Sequence, residues 1–219
     1  MSITENPLVG RAKGSMANFT MYTSHGKNIV RGKAFEIKDA KSKDQLIMRD
    51  RMKLLADRYQ IFKSIIRLGF PERREDQIPH NMFISANFSR AFEMIDEIQV
   101  IRNPLLLLSK GSLPEVKVMD AVTGSDGITI RYNAKEMFPD VQDDDEIIAC
   151  ALLNSGGLYI AKQFIGYEDI GTILLKHNDL ETDKVECCYV FVRSGDGKKA
   201  SDSVSVEVKV NTQSANESD

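Results

Sequence analysis

The sequence predicts an α+β protein in which an N-terminal β-hairpin and a two-helix module precede an antiparallel β-sandwich of immunoglobulin or fibronectin type. Three observations support this fold class. A glycine turn separates two stretches of strand-forming residues near the N-terminus. An apolar stripe with helical spacing follows from about Lys43, and short strand-like segments separated by turn residues occupy the second half.

The hairpin is predicted between residues 18 and 31. Strand-forming residues occupy 18–23 and 27–31, with Ser24-His25-Gly26 between them. Gly26 supplies the positive φ that a tight turn requires. Lys27 follows this glycine, but the glycine spacing and the Ser or Thr of a phosphate-binding loop are absent. A hairpin turn is therefore favoured over a phosphate site.

The long helix is predicted from its apolar residues, which recur at steps of three and four: Met48, Met52, Leu55, Tyr59, Phe62 and Ile66. Gly69 and Pro71 end it. We expect this helix to pack against the hairpin and the second helix, and a coiled-coil partner is the alternative. A second helix is predicted over residues 80–97, and Pro104 ends the helical part.

The β part is predicted from eight segments: Leu105–Ser109, Glu115–Val122, Ile128–Asn133, Glu146–Leu153, Leu158–Phe164, Thr172–Lys176, Val185–Val192 and Ser203–Val210. Gly- and Asn-rich turns lie between many of them, a spacing typical of β-sandwiches. The predicted domains are residues 1–103 (hairpin and helices) and 104–210 (sandwich), followed by a polar tail, 211–219, that is predicted to be disordered.

Composition indicates a soluble globular protein, because 42% of the residues are apolar and 28% are charged. The chain has no apolar run long enough for a membrane helix, and its N-terminus lacks the apolar core of a secretory signal, so we expect a cytoplasmic protein without membrane insertion. Three cysteines, two of them adjacent, do not form a disulfide framework. On a strand, Cys187 and Cys188 face opposite sides, which predicts a core position for at least one.

The charge is distributed unevenly and carries the clearest indication of a partner. Residues 1–75 hold 16 Lys or Arg against 8 Asp or Glu, whereas residues 76–219 hold 13 against 24. Residues of a candidate basic partner surface are Lys27, Arg31, Lys33, Lys38, Arg49 and Lys53. This surface predicts either phosphate-backbone binding or head-to-tail self-assembly, and pairing with nearby carboxylates is the alternative.

Catalytic chemistry is not predicted. The sequence has no recognisable carboxylate pair and no Ser or Cys in a motif with His, so no catalytic, cofactor-binding or metal-binding residue is assigned. The acidic run 140–146 lacks the alternate carboxylates and central glycine of a calcium-binding loop, which favours a solvated loop.

Residues 10–90 resemble an uncharacterised bacterial family of about this length, known only as a domain of unknown function and found mainly in gut-type anaerobes. The similar pattern comprises Gly26, Lys27, Val30, Arg31, Gln45, Arg49, Asn81, Phe83 and Asn87. Many family members have Thr-Pro where this chain has Lys43-Asp44. The resemblance implies no chemistry and supports structural roles for Gly26, Gln45, Asn81 and Asn87, with the asparagines capping or satisfying buried backbone groups. Similar basic Gly-Lys, Val-Arg and Gln-Arg patterns occur near the start of proteins of phage or mobile-element type.

The sequence therefore predicts a non-catalytic structural or protein-binding module, for which a glycan is an alternative ligand. The second hypothesis is a nucleic-acid-associated or phage-like assembly component that uses the basic N-terminal module.

Overall fold

The computed structural model describes residues 2–4, 13–24, 26–33, 41–96, 98–166, 168–177 and 184–210. The chain separates into two compact units, Met1–Ser42 and Lys43–Asp219. The predicted tail, 211–219, lies outside the described residues.

The first unit is an antiparallel sheet of four strands in the order β1-β4-β3-β2: β1 (Ser2–Thr4), β2 (Gly14–Met16), β3 (Phe19–Ser24) and β4 (Lys27–Gly32). The predicted hairpin is confirmed, because β3 pairs with β4 from Phe19↔Gly32 to Ser24↔Lys27. Gly26 has φ +74° in the turn, the conformation for which glycine was expected there.

The second unit begins with two helices, α1 (Lys43–Gly69) and α2 (Pro79–Asn87). The bounds of α1 confirm the predicted long helix. The apolar stripe is buried from Leu55 onward, whereas Met48 and Met52 remain exposed.

The prediction of a helix over residues 80–97 is wrong after Asn87. Residues beyond it form a hairpin of β5 (Phe92–Ile95) and β6 (Ile98–Ile101), with Asp96 at φ +48° in the turn. Phe92 and Ile95 have helical spacing, but the β-branched residues Ile98, Val100 and Ile101 favour strands.

Two four-stranded sheets complete the unit. Their strands are β7 (Val118–Gly124), β8 (Gly127–Asn133), β9 (Glu146–Leu153), β10 (Leu158–Phe164), β11 (Ile170–Lys176), β12 (Val185–Arg193), β13 (Val204–Val206) and β14 (Lys209–Val210). The strand orders are β10-β9-β12-β13 and β11-β8-β7-β14, with β14 parallel to β7 and the other pairs antiparallel. Together with the helices, these strands make a mixed α and β architecture that is mostly β.

The sheet β10-β9-β12-β13 contributes to two hydrophobic cores. Ala149 of β9 and Val190 of β12 belong to a cluster shared with β7, β8 and β11. Their neighbours Ile148 and Phe191 belong to a second cluster with α1 and α2. Both faces of these central strands are buried, so β9 reads as a continuous apolar run.

The helices share the second core with the strands, and both belong to the compact unit that begins at Lys43. Two strand predictions are also wrong. Leu105–Ser109 forms no strand, because the backbone of Leu107 bonds to the Asn87 side chain and the Leu108 N–H donates to Ser203 Oγ. Residues 203–210 do not form one strand, because the chain crosses from β13 in one sheet to β14 in the other.

Candidate interaction surfaces

Three of the predicted basic residues lie together on the first unit. Lys27 and Arg31 occupy alternate positions of β4 and therefore share one face of the sheet. Lys33 directly follows β4, and its backbone N–H donates to the Asn18 carbonyl at 2.7 Å. This bond extends the strand pairing by one residue and places Lys33 on the same face. All three side chains are exposed, and the aromatic ring of Tyr22, 37% exposed, lies on the same face. We call this group, Lys27, Arg31, Lys33 and Tyr22, the basic strand face.

The other predicted basic residues do not belong to this face. Arg49 and Lys53 are exposed residues one turn apart on α1, in the second unit. Lys38 lies outside the described residues. Among the described residues, no ion pair involves Lys27, Arg31 or Lys53.

The predicted structural residues differ in their surroundings. Asn87 is fully buried at the end of α2, where its amide donates to the Phe83 and Leu107 carbonyls at 2.9 Å each. Asn81 is exposed, with its side-chain oxygen 3.2 Å from His80 Nδ1. Gln45 is exposed in the first turn of α1.

The cysteines are buried on opposite faces of one sheet. Cys188 belongs to the core between the two sheets, and Cys187 and Cys150 belong to the helical side. Burial raises the pKa of Cys187 to about 11 and that of Cys188 to about 12. Burial also raises the pKa of Cys150. Neutral buried thiols are poor nucleophiles, so these positions serve packing.

Within the acidic run 140–146, Asp145 has a structural role. Its side chain is nearly buried and accepts hydrogen bonds of 2.9 Å from the backbone N–H groups of Gln142 and Gly195. The carboxylate thereby ties the loop before β9 to the turn after β12, and its hydrogen bonds offset the cost of burying a charge.

A groove of about 710 Å³ opens between β7 and β13, at the side where the two sheets end. Within the described residues, no strand pairs with the outer edge of β13, and β14 pairs with β7 only at Val122 and Thr123. Segments 118–121 and 204–206 thus border the groove with strand edges that lack a partner strand. We call this site the edge groove.

The floor of the edge groove is apolar and its rim is charged. The buried side chains of Val116, Ala121 and Val206 line it and also belong to the core between the sheets. The charged lining residues are Glu115, Lys117, Asp120, Glu136, Glu207 and Lys209. The groove therefore offers apolar contact below and polar contact at its margins.

One of the rim carboxylates is already paired. Arg131 donates two hydrogen bonds to Asp120, one of them at 2.8 Å, and holds the pKa of that carboxyl below its usual value. Glu136 accepts a hydrogen bond of 2.7 Å from the Asn133 side-chain amide and stays exposed at the rim, as do Glu115 and Glu207. Lys117 and Lys209 oppose these carboxylates.

This groove was not predicted, although the sequence carries a signal for it. Residues 115–118 and 206–209 both alternate valine with Glu or Lys, a composition typical of strands at the edge of a sheet. Met119 adds a further edge feature, because the β7–β8 register shifts between Val118 and Asp120 and leaves Met119 54% exposed.

Comparisons with known proteins found no matching family model, no matching curated protein and no matching solved structure. Within the described residues, no helix is long and apolar enough to cross a membrane. The same residues contain no group of three or more His, Cys, Asp or Glu side chains placed to hold a metal ion.

Proposed function

We propose that this chain is a non-catalytic protein-binding module, and that its edge groove receives an extended segment of a partner protein. The observation that carries the proposal is the pair of unpartnered strand edges, 118–121 and 204–206, above an apolar floor. An added strand gains affinity from main-chain hydrogen bonds and specificity from alternate side chains that enter the groove.

The immunoglobulin or fibronectin type of sandwich is the fold proposed for this module. If the strands β7 to β13 are numbered one to seven, the first, second and fifth lie in one sheet and the third, fourth, sixth and seventh in the other. Constant-type immunoglobulin sandwiches distribute six of these strands in the same way and differ in the fourth, which joins their first sheet. The crossing of the chain from β13 to β14 is what leaves the groove beside the last strand.

The lining of the groove favours a particular kind of segment. Alternate side chains of an extended segment point in opposite directions, so one set would meet Val116, Ala121 and Val206 and the other would meet the rim. Three exposed carboxylates against two lysines make that rim weakly acidic. We therefore propose a segment that alternates small apolar residues with Lys or Arg.

A capped peptide in which Val and Lys alternate tests this proposal by isothermal titration calorimetry with the full chain. The matched control is the same peptide N-methylated at alternate residues, which removes half of its N–H donors. We expect the control to bind at least about tenfold more weakly, because each lost main-chain bond costs about 1 kcal/mol.

Charge reversal on the rim provides a second measurement. Glu207→Lys should weaken binding of the Val/Lys peptide by about three- to tenfold and strengthen binding of a Val/Glu peptide. Glu75→Lys makes the same change at an exposed position that is not among the groove residues, and should leave both affinities unchanged. Equal binding of the native and N-methylated peptides would contradict the proposal.

Nucleic-acid binding is the second candidate function, favoured by the basic strand face. Lys27, Arg31 and Lys33 there share a face with the exposed ring of Tyr22. Basic side chains that follow a phosphate backbone beside an aromatic platform are how sheet surfaces bind single strands.

Fluorescence anisotropy with a labelled oligothymidine across a salt series tests this candidate. Lys27→Ala should weaken binding and reduce the slope of log K against log salt by about one. Tyr22→Ser should weaken binding with the slope unchanged. Lys63→Ala, which removes an exposed charge from α1, serves as the control. Absence of binding at low salt would eliminate this candidate.

A further inference from the structure

The face of the N-terminal sheet opposite the basic strand face carries no charge on β2, β3 or β4. The register places alternate residues of these strands on it. Its central residues form two rows across the strands, Gly32–Phe19–Met16 and Val30–Met21–Gly14, and Asn28 and Thr23 follow in the next row. We call this surface the neutral face.

The two central rows of the neutral face are apolar and partly exposed to solvent. Met16 is 68% exposed and Phe19 is 51% exposed, and the two residues lie directly opposite each other on β2 and β3. Of the described residues 13–24 and 26–33, Ile29 alone is buried, and it lies on the basic side. With so little core among its described residues, a unit of this size ordinarily needs an additional source of stability, and association is one.

The shape of the neutral face is complementary to itself. Its two glycines occupy diagonal corners of the two rows, and a Cβ built on Gly14 or Gly32 would meet no atom within 4 Å. A two-fold axis along β3 would place each Gly32 against Met16 of the other copy and each Gly14 against Val30. An axis across the strands would place Gly32 against Val30 and Gly14 against Met16. Either rotation fills each gap with a large side chain.

We propose that the neutral face docks on the neutral face of a second copy of this chain. The first unit holds 7 Lys or Arg against 3 Asp or Glu, but its charged strand positions lie on the opposite face, so the docked surfaces bring no charge into contact. The lysines and Arg31 would remain on the outer sides of such a dimer. This inference does not depend on the edge groove.

The size of the face predicts a weak dimer. Three strands spaced about 4.8 Å apart, with three rows about 7 Å apart along them, make a contact of roughly 300 Å² per copy. Contacts of roughly 600 Å² in total correspond to weak, transient association. We therefore expect a monomer at micromolar concentration and dimers in the submillimolar range.

Salt distinguishes this contact from the head-to-tail ionic assembly that the charge asymmetry also suggests. Two basic units that meet through neutral faces repel each other at long range, and salt screens that repulsion. Apolar contact is not weakened by moderate salt. Dimerisation should therefore strengthen as salt rises, whereas an ionic contact would weaken.

Sedimentation equilibrium of the full chain across concentration and salt measures both effects. Phe19→Ser should lower the association constant at least about tenfold, because the aromatic contact area is lost in both copies. Tyr22→Ser removes an aromatic residue of the same strand from the opposite face and should leave the association constant unchanged. Circular dichroism of both variants verifies that the chain remains folded.

The variant Gly32→Leu distinguishes specific docking of two neutral faces from non-specific apolar aggregation. Gly32 has open space around it, and no strained φ opposes a side chain there. A leucine adds apolar surface, so non-specific aggregation would increase. In the proposed dimer the same leucine fills the gap that receives the partner's side chain, so association should weaken. A monomeric mass at all concentrations, association that falls with salt, or stronger association of Gly32→Leu would overturn the proposal.

Discussion

Asn87 and Leu107 exchange two hydrogen bonds across twenty positions of sequence. The Asn87 carboxamide donates to the Leu107 carbonyl at 2.9 Å and accepts from the Leu107 N–H at 2.8 Å. Both residues are buried, so the side chain takes the place of a neighbouring strand for the segment that follows Pro104. The Asn87 side chain thus connects the end of α2 to the segment that leads into β7.

Replacing Asn87 should strongly destabilise the second unit. Asn87→Ala leaves the N–H and C=O of Leu107 buried without these partners, which should lower the free energy of unfolding by about 2–4 kcal/mol. Urea denaturation followed by circular dichroism measures the change. Asn81→Ala at the exposed end of the same helix is the control and should cost less than about 0.5 kcal/mol. Similar midpoints for the two variants would contradict this role.

Gly69 should be equally sensitive, for a steric reason. A Cβ at this position would lie 2.8 Å from Ser109 Cα and still closer to the Leu108 carbonyl oxygen. The Gly69 carbonyl also accepts hydrogen bonds of 2.9 Å from the Lys110 N–H and from Ser109 Oγ. Gly69→Ala must separate α1 from this segment and should cost about 3 kcal/mol or more.

Gly124→Ala is the matched control, because its nearest neighbour would be the Gly127 carbonyl oxygen at 3.9 Å, an ordinary contact. Thermal unfolding should show a fall in midpoint for Gly69→Ala and little change for the control. Equal midpoints would contradict this expectation, because they would show that the segment after Pro104 can move away from α1 with little loss of stability.

Arg51 joins α1 to the β5–β6 hairpin. Its Nε donates to Gln99 Oε1 at 2.7 Å, and its guanidinium carbon lies 5.2 Å from the centre of the Phe92 ring. A lysine cannot reproduce this planar geometry, so Arg51→Lys should lower stability by about 1 kcal/mol. Hydrogen exchange at residues 92–101 should also accelerate. The exposed Arg67→Lys is the control, and equal exchange rates in both variants would contradict the contribution of Arg51.

Elements with their own local signals were predictable from the sequence. The long apolar stripe and the terminal glycine of α1 defined that helix, and the turn at Gly26 defined the first hairpin. Strand β9 has the predicted bounds because an unbroken apolar run requires burial on both faces, and the two cores provide it.

Elements determined by distant contacts were not predictable. Residues 105–109 have the composition of a strand, yet the backbone of Leu107 bonds to Asn87 and the Leu108 N–H bonds to Ser203, both remote in sequence. The edge groove likewise depends on the crossing between β13 and β14, because alternating valines alone do not show which sheet each half joins. Of the predicted basic surface, only the part on β4 is defined by local alternation.

The buried thiol of Cys188 should make stability depend on alkaline pH. Burial, reinforced by the neighbouring Cys187, raises the pKa of Cys188 from 9.0 to about 12 in the folded protein. Below pH 9 the thiol is protonated in the folded and unfolded states alike, so it gives stability no pH dependence there. Above it the unfolded thiol loses its proton while the folded one keeps it, so stability falls as pH rises towards 12.

Cys188→Ala should therefore flatten the alkaline decline. Between pH 9 and 12 the stability of the variant should fall less steeply than that of the parent chain, by up to about 1.4 kcal/mol per pH unit. Urea denaturation at several pH values measures both slopes. Val190→Ala removes volume from the same core without removing a titrating group, so it should lower stability at every pH and keep the parental slope. If Cys188→Ala keeps that slope as well, the thiol is not the source of the decline.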